Sequence, residues 1–124
     1  MSMDELELKI VSGDGEVCRF SVKRGFSPRV FSALGSSLPK IGVVGKGDTY
    51  LYLTMGLRIG VEKTISEASP GDVGYSPRFQ GLVFFTSDSP DCRFLNAALI
   101  GRLLTPLDPL KNLREGDVVS VSRV

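Results

Sequence analysis

Hydrophobic and polar residues alternate at the start of the chain. In "ELELKIVS" (5–12), apolar side chains are separated by charged or polar ones, which is the period of a strand with one buried face. Asp14 and Gly15 follow, and this pair favours a two-residue hairpin turn because both positions tolerate positive φ. The return segment "VCRFSV" (17–22) alternates again. The pattern predicts an amino-terminal β-hairpin.

A short helix is predicted after the hairpin. Ser27 is a good N-cap, and Pro28 suits the first helical position, where a missing N–H costs no hydrogen bond. Gly35 and Pro39 are expected to end the helix. One face of the helix carries an apolar stripe at helical spacing, formed by Val30, Phe31 and Leu34.

The rest of the chain is typical of short strands separated by turns. Two of the segments, "LVFF" and "ALIGRLL", are apolar on both faces, which indicates strands in the middle of a sheet. We expect a single domain over residues 1–124, mainly β, with a small closed barrel of about eight strands, one short α-helix and one helical turn. The predicted strands are 49–55, 57–63, 82–85, 98–104 and 116–124, and the helical turn is "PLDPLKNL", capped by Asp108.

Composition excludes several kinds of chemistry. The chain has no histidine, so a Ser-His or Cys-His nucleophile pair and a histidine-ligated metal are ruled out. We therefore expect no metal site and no cofactor. The net charge of +1 gives no field that would gather nucleic acid or a membrane surface. No apolar run reaches the ~18–20 residues that span a bilayer, and the acidic amino terminus lacks a secretion signal, so the expected location is cytoplasmic.

The two cysteines are too few for a four-cysteine zinc site. Cys18 lies in an alternating strand, where a small buried residue is expected. Cys92 lies in a predicted loop between Asp91 and Arg93. The interpretations left open for Cys92 are an exposed cysteine of no special role and a thiolate favoured by the arginine. Whether Cys18 and Cys92 are free or paired is not readable from the sequence.

The segment "SPGDVGYSPRFQGLVFF" (69–85) is the densest stretch of the chain. We interpret "GLVFF" as a core strand and "GDVGYSPRF" as the loop that enters it. This loop would edge an apolar pocket that binds a peptide or a small molecule, since such sites combine apolar area with a few polar groups. The loop-forming residues are Gly71, Asp72, Gly74 and Pro77, and the candidate ligand contacts are Tyr75, Arg78 and Phe79, extended by Tyr52 and Arg58.

The chain resembles the cyclophilin-like domain of small prokaryotic proteins, which are fold relatives of the peptidyl-prolyl isomerases. The residues that carry the resemblance are "PGDVGY" (70–75), Pro77 and "LVFF" (82–85). The layout of hairpin, helix and closing strand is similar over nearly the whole chain. The resemblance implies a barrel of about eight strands closed by a helix, and no defined cellular role.

Two other functions remain open. One is proline isomerisation, in which Arg78 would donate a hydrogen bond to the prolyl nitrogen and weaken the amide resonance that sets a barrier of ~18–20 kcal/mol. That reaction needs no nucleophile and no metal. The other is an assembly role, in which a loop carrying Tyr75, Pro77 and Phe79 forms the contact of a homodimer.

Overall fold

A computed structural model of the protein describes residues 4–124. Residues 1–3 lie outside the described residues. They begin the acidic amino-terminal segment for which we predict no secretion signal. The described chain forms eight strands, two helices and one 3-10 turn. In chain order these are β1 Glu5–Ser12, β2 Gly15–Lys23, α1 Pro28–Ser37, β3 Lys40–Lys46, β4 Tyr50–Thr54, β5 Asp72–Ser76, β6 Gly81–Phe85, the 3-10 turn Arg93–Leu95, β7 Ala98–Leu103, α2 Asp108–Lys111 and β8 Val118–Arg123.

The strands close into one antiparallel barrel in the order β1-β2-β7-β5-β6-β4-β3-β8, and β8 pairs with β1. This confirms the predicted mainly β fold, the closed barrel of about eight strands, the short helix and the helical turn. A closed barrel has no open strand edge, so each barrel strand pairs on both sides. No helix in residues 4–124 is long and apolar enough to cross a membrane.

Inward side chains fill the barrel. Phe20 of β2 meets Phe84 of β6 edge to face, with ring centroids 5.1 Å apart, an arrangement favoured by the ring quadrupoles. Helix α1 lies at one end of the barrel, where Arg123 donates to the carbonyl of Gly35. Helix α2 lies at the opposite end, where Lys46 donates to the carbonyl of Lys111. The apolar stripe predicted for α1, Val30, Phe31 and Leu34, joins this core with Leu110 and Leu113 from the α2 region.

A second, smaller apolar cluster lies outside the barrel. The connections 55–71 and 86–97 cross the outer face of β5 and β6 and are tied together by backbone hydrogen bonds, including the mutual pair of Ala68 and Ser89 (3.0 and 2.9 Å). Because alternate residues of a strand face opposite sides, Leu82 and Phe84 point into the barrel while their neighbours point outward. We call this the outer cluster; its buried members are Ala68, Val83, Phe85, Cys92, Leu95 and Ala97.

Several predicted boundaries are wrong, with identifiable causes. The segment 57–63 is not a strand: its alternating apolar residues pack on the end of the core, and Leu57 bonds to Gln80 rather than to a strand. The stretch Asp72–Ser76, interpreted as loop, is strand β5, because Gly74 sits in a ladder and not in a turn. Strand β3 was not predicted at all.

Three smaller differences concern turns and caps. The hairpin turn is Gly13–Asp14, one residue earlier than predicted, since Gly15 already pairs with Ser12. Helix α1 begins after Ser27 as predicted but continues through Gly35 to Ser37. Asp108 is the first residue of α2, whose N-cap is Leu107.

Candidate functional site

Tyr75 lies inside the barrel and has no exposed surface. It is on β5, and its side chain points to the same interior as Phe84. The phenol donates to the carbonyl of Leu57 (2.5 Å) and accepts from the N–H of Ile59 (3.0 Å). The buried hydroxyl of Tyr75 therefore both donates and accepts a hydrogen bond, and it needs no further partner. Tyr75 anchors the 57–63 segment to the core and contributes no open contact area for a ligand.

Arg78 and Phe79 lie in the four-residue turn that joins β5 to β6, and Pro77 begins this turn as a loop-forming residue. Gln80 completes it with a positive φ of 53°. The turn lets Phe79 fold back onto Tyr52 of β4, with centroids 3.8 Å apart and ring planes 7° from parallel. Arg78 is exposed and donates to the carbonyl of Phe94 at 3.4 Å. Three of the predicted ligand contacts, Tyr52, Arg78 and Phe79, therefore lie together.

Two more aromatic side chains extend this group, and sequence reasoning missed both. Tyr50 lies 6.2 Å from Tyr52, 6.2 Å from Phe79 and 6.1 Å from Phe94, measured between ring centroids. Phe94 is 55% exposed. We call the set Tyr50, Tyr52, Phe79 and Phe94 the aromatic face; it lies on the outside of the barrel and flanks the outer cluster.

Two glycines of the β3 region support the aromatic face. Gly45 is opposite Tyr52 in the β3–β4 ladder, and a Cβ at Gly45 would lie 2.1 Å from the Tyr52 ring. A Cβ at Gly47 would lie equally close to the Tyr50 ring. Both rings therefore lie flat across glycine backbone, as aromatic residues do when they cover a strand glycine. In "GKGDTYLY" the two glycines are two residues apart and the two tyrosines are also two residues apart, which matches this arrangement. Which tyrosine lies opposite which glycine is visible only in the β3–β4 ladder.

The electrostatics around Tyr50 are mixed. Burial raises the pKa of the Tyr50 phenol above its ordinary value, and Tyr52 and Asp48 act in the same direction while Arg78 opposes them. The phenol is therefore a neutral hydrogen-bond donor at physiological pH. Next to it, an open groove of about 450 Å³ runs between the β3–β4 turn and the 86–97 connection. Its lining is Gly47, Asp48, Thr49, Tyr50, Ser89, Pro90, Asp91 and Phe94.

The remaining predicted site residues are structural or lie elsewhere. Gly71 turns the chain with a φ of +92°, and Asp72 fixes this turn by accepting from Ser69 (2.9 Å) and pairing with Arg102 (2.7 Å). Gly74 is inside β5, where a Cβ would lie 3.0 Å from a backbone oxygen, so it forms no loop. Arg58 is exposed in the 57–63 segment and is not part of the aromatic face.

Both cysteines are free and buried. Cys18 is buried in the barrel core as predicted, and burial raises its pKa to about 12. Cys92 is not exposed and is not activated: Arg93 pairs with Asp91 (2.9 Å) instead, and burial raises the pKa of the Cys92 thiol. Neither thiol has the electropositive, accessible setting of a nucleophile. Within residues 4–124, no three His, Cys, Asp or Glu side chains are grouped to hold a metal ion.

Comparison with known proteins bears on the fold. No protein-family model matches the chain, and no curated protein matches it. Among solved structures, the chain is similar to the solution structure of a hypothetical protein from Archaeoglobus fulgidus, with 21% sequence identity, a TM-score of 0.79 and coverage of 100% of both chains. A likeness at this identity shows that the two chains share a fold.

Proposed function

We propose that this protein is a binding domain that recognises an extended peptide on the aromatic face. The observation that carries the proposal is the grouping of four aromatic rings, one of them more than half exposed, beside the guanidinium of Arg78. Aromatic side chains offer large contact area at low entropic cost, and they dominate the energetics of peptide and protein interfaces.

A peptide fits the geometry better than a small molecule does. Small-molecule sites are concave and enclose most of the ligand, and in this barrel the interior is occupied by Phe20, Tyr75 and Phe84. The closed barrel also has no free strand edge, so a peptide cannot bind by adding a strand. Binding on an outer aromatic surface is the mode by which proline-containing, extended peptides are recognised.

The test uses two exposed phenylalanines as a matched pair. Phe94 is in the aromatic face, and Phe26 is 44% exposed beside the start of α1. Binding of a library of proline-containing peptides would be followed by NMR on the isotope-labelled protein. We expect shifts at Tyr50, Tyr52 and Phe79, and a loss of about tenfold in affinity for Phe94→Ala. Equal losses for Phe26→Ala, or no binding by any peptide, would contradict the proposal.

Proline isomerisation is a second candidate function. It is favoured by one observation: Arg78 and Phe79 share a turn and both border the aromatic face. A prolyl ring stacked on the face would place its amide within reach of an arginine donor. Exchange spectroscopy on the same peptides tests this, since uncatalysed exchange takes tens to hundreds of seconds. Acceleration that Arg78→Ala removes and Arg58→Ala retains would establish isomerase activity.

Family, location and self-association are proposed on separate grounds. We propose a cyclophilin-like domain because the eight-strand closure and the helix at one barrel end are compatible with the resemblance. A cytoplasmic location is supported by two free cysteines, which suit a reducing compartment. Self-association through the aromatic face would make the apparent mass in light scattering fall with dilution, and Phe94→Ala would then give a monomer at all concentrations.

A further inference from the structure

Each wall of the groove beside Tyr50 carries one aromatic ring and one carboxylate. Tyr50 and Phe94 supply the two rings, with centroids 6.1 Å apart, and Asp48 and Asp91 supply two carboxylates. The lining contains no lysine or arginine. The hydroxyls of Thr49 and Ser89 are hydrogen-bonded to each other across the groove, so its two sides are held together. We call this the acidic groove.

The two carboxylates differ in how they are neutralised. Asp91 accepts two hydrogen bonds from the guanidinium of Arg93, both 2.9 Å, and a third from the N–H of Arg93 at 3.3 Å. These bonds lower the pKa of Asp91 to about 2. Asp48 is exposed and has no hydrogen bond or ion pair with any residue in 4–124. Arg78 is directed to the carbonyl of Phe94, and Lys46, which lines a neighbouring cavity with Tyr50, donates to the carbonyl of Lys111. Asp48 is therefore a carboxylate that a ligand can reach.

The rings and Asp48 together match the chemistry of a basic side chain. A lysine ammonium or an arginine guanidinium is attracted to the face of an aromatic ring within about 6 Å of its centroid. The aliphatic stem of such a side chain packs on apolar surface while its charged end reaches a polar group. The phenol of Tyr50 is neutral. The carboxylate of Asp48, on the same side of the groove, would pair with the positive charge of the ligand side chain.

We propose that the acidic groove seats a lysine or arginine side chain of the peptide that the aromatic face binds. This inference rests on the proposed function and names the ligand chemistry within it. Tyr50 belongs to both the aromatic face and the acidic groove, so the two surfaces are continuous. A peptide backbone lying over Tyr52 and Phe79 would place the side chain of an adjacent residue beside Tyr50 and Phe94.

Four short peptides test the proposal. They are capped at both ends, carry the same flanking prolines, and differ only at one central residue: lysine, arginine, citrulline or norleucine. Affinity would be measured by NMR titration of the full chain at low and high salt. We expect the lysine and arginine peptides to bind about threefold to tenfold more tightly than the two neutral peptides. High salt should reduce this difference because the groove is exposed.

Matched variants locate the effect. Asp48→Asn removes the unpaired carboxylate and should erase the preference for charge, whereas Asp88→Asn makes the same charge change outside the groove lining and should retain it. Equal affinity of all four peptides, with shifts at Tyr52 and Phe79, would overturn this inference and leave the proposed function intact. Equal effects of the two variants would also overturn it, as net charge alone would then explain the preference. Absence of binding by every peptide would overturn both proposals.

Discussion

The barrel core and the outer cluster are built from the same strand, β6, but by different means. Leu82 and Phe84 enter the barrel core, where seven other strands, each paired on both sides, supply inward residues. Val83 and Phe85 enter the outer cluster, where two irregular connections supply the remaining cover. The first core is held by closure of the sheet, and the second by a few hydrogen bonds between loops. The aromatic face is attached to the second.

This difference places part of the candidate site on the less constrained part of the molecule: Phe94 lies in the 86–97 connection, whereas Tyr50 and Tyr52 are on the barrel strand β4. Segments with few ladder hydrogen bonds open at lower free energy than core strands. Binding surfaces are commonly carried by such connections on a rigid scaffold. We therefore expect the barrel core to set global stability and the outer cluster to set the geometry of the aromatic face.

The largest expected effect is a difference in the free energy of unfolding between alanine variants of two adjacent phenylalanines of β6. Both Phe84 and Phe85 are fully buried. Phe84→Ala should lower the free energy of unfolding by about 3–5 kcal/mol, because it leaves a cavity in a closed barrel and removes the contact with Phe20. Phe85→Ala should cost less, since loops can collapse into the space. Chemical denaturation measures both, and an equal or greater cost for Phe85→Ala would show that the outer cluster is as rigid as the barrel.

Gly45→Ala should disturb the aromatic face directly. Its Cβ would lie 2.1 Å from the Tyr52 ring, so the ring must leave its stack on Phe79. Overpacking of this kind costs about 1–3 kcal/mol, and peptide binding should fall with it. Gly25→Ala is the control, because nothing lies within 4 Å of its added Cβ. Retention of the Tyr52–Phe79 ring-current shifts in Gly45→Ala would contradict the expected support role of the glycine.

The two cysteines report separately on the two cores. Cys18 is in the barrel core and Cys92 is in the outer cluster. In native buffer, a thiol reagent should modify Cys92 at least about tenfold faster than Cys18, since local opening is enough to expose it. Single-cysteine variants, Cys18→Ala and Cys92→Ala, separate the two rates. Equal rates with the same denaturant dependence would mean that the two cores open together.

The smallest expected effect is a pH dependence from Tyr50. Its pKa is raised by burial above the ordinary value of 10.0, so the folded state holds the phenolic proton more tightly than the unfolded state. The stability that this supplies is present below pH 10 and is lost as pH rises through the folded pKa. Denaturation above pH 10 should therefore show a steeper loss in the wild-type chain than in Tyr50→Phe. Identical slopes would indicate that burial at Tyr50 is too slight to matter.

The fold was predictable from the sequence wherever alternation met a turn signal. The amino-terminal hairpin and helix α1 carry strong local patterns, and both are present. The "LVFF" segment is a strand as predicted, and its two apolar faces pack into the barrel core and the outer cluster. The segment 57–63 alternates just as clearly but forms no strand, because hydrophobic periodicity reports burial and not the hydrogen-bond partner.

The candidate site was only partly predictable. Arg78 and Phe79 share a short segment bounded by Pro77 and Gly81, and Tyr52 is on the strand face away from the leucine row; these three residues lie together in the structure. Tyr75 is in the barrel and not at the surface, because the glycine-rich segment that predicts a loop around it forms the strand β5. Tyr50 and Phe94 join the face through strand register and through a distant connection, and neither relation can be read from a single sequence.

The pairing of β1 with β8 has a consequence for how the chain can be connected. Leu8 lies opposite Arg123, and the N–H of Val124 donates to the carbonyl of Glu7 at 3.1 Å. In a ring of strands no strand comes first, so the barrel is compatible with circular permutation. A short linker could join residue 124 to residue 4, and new termini could be opened at the exposed Gly13–Asp14 turn. A permuted chain would present the aromatic face unchanged, with its ends moved to the far end of the barrel.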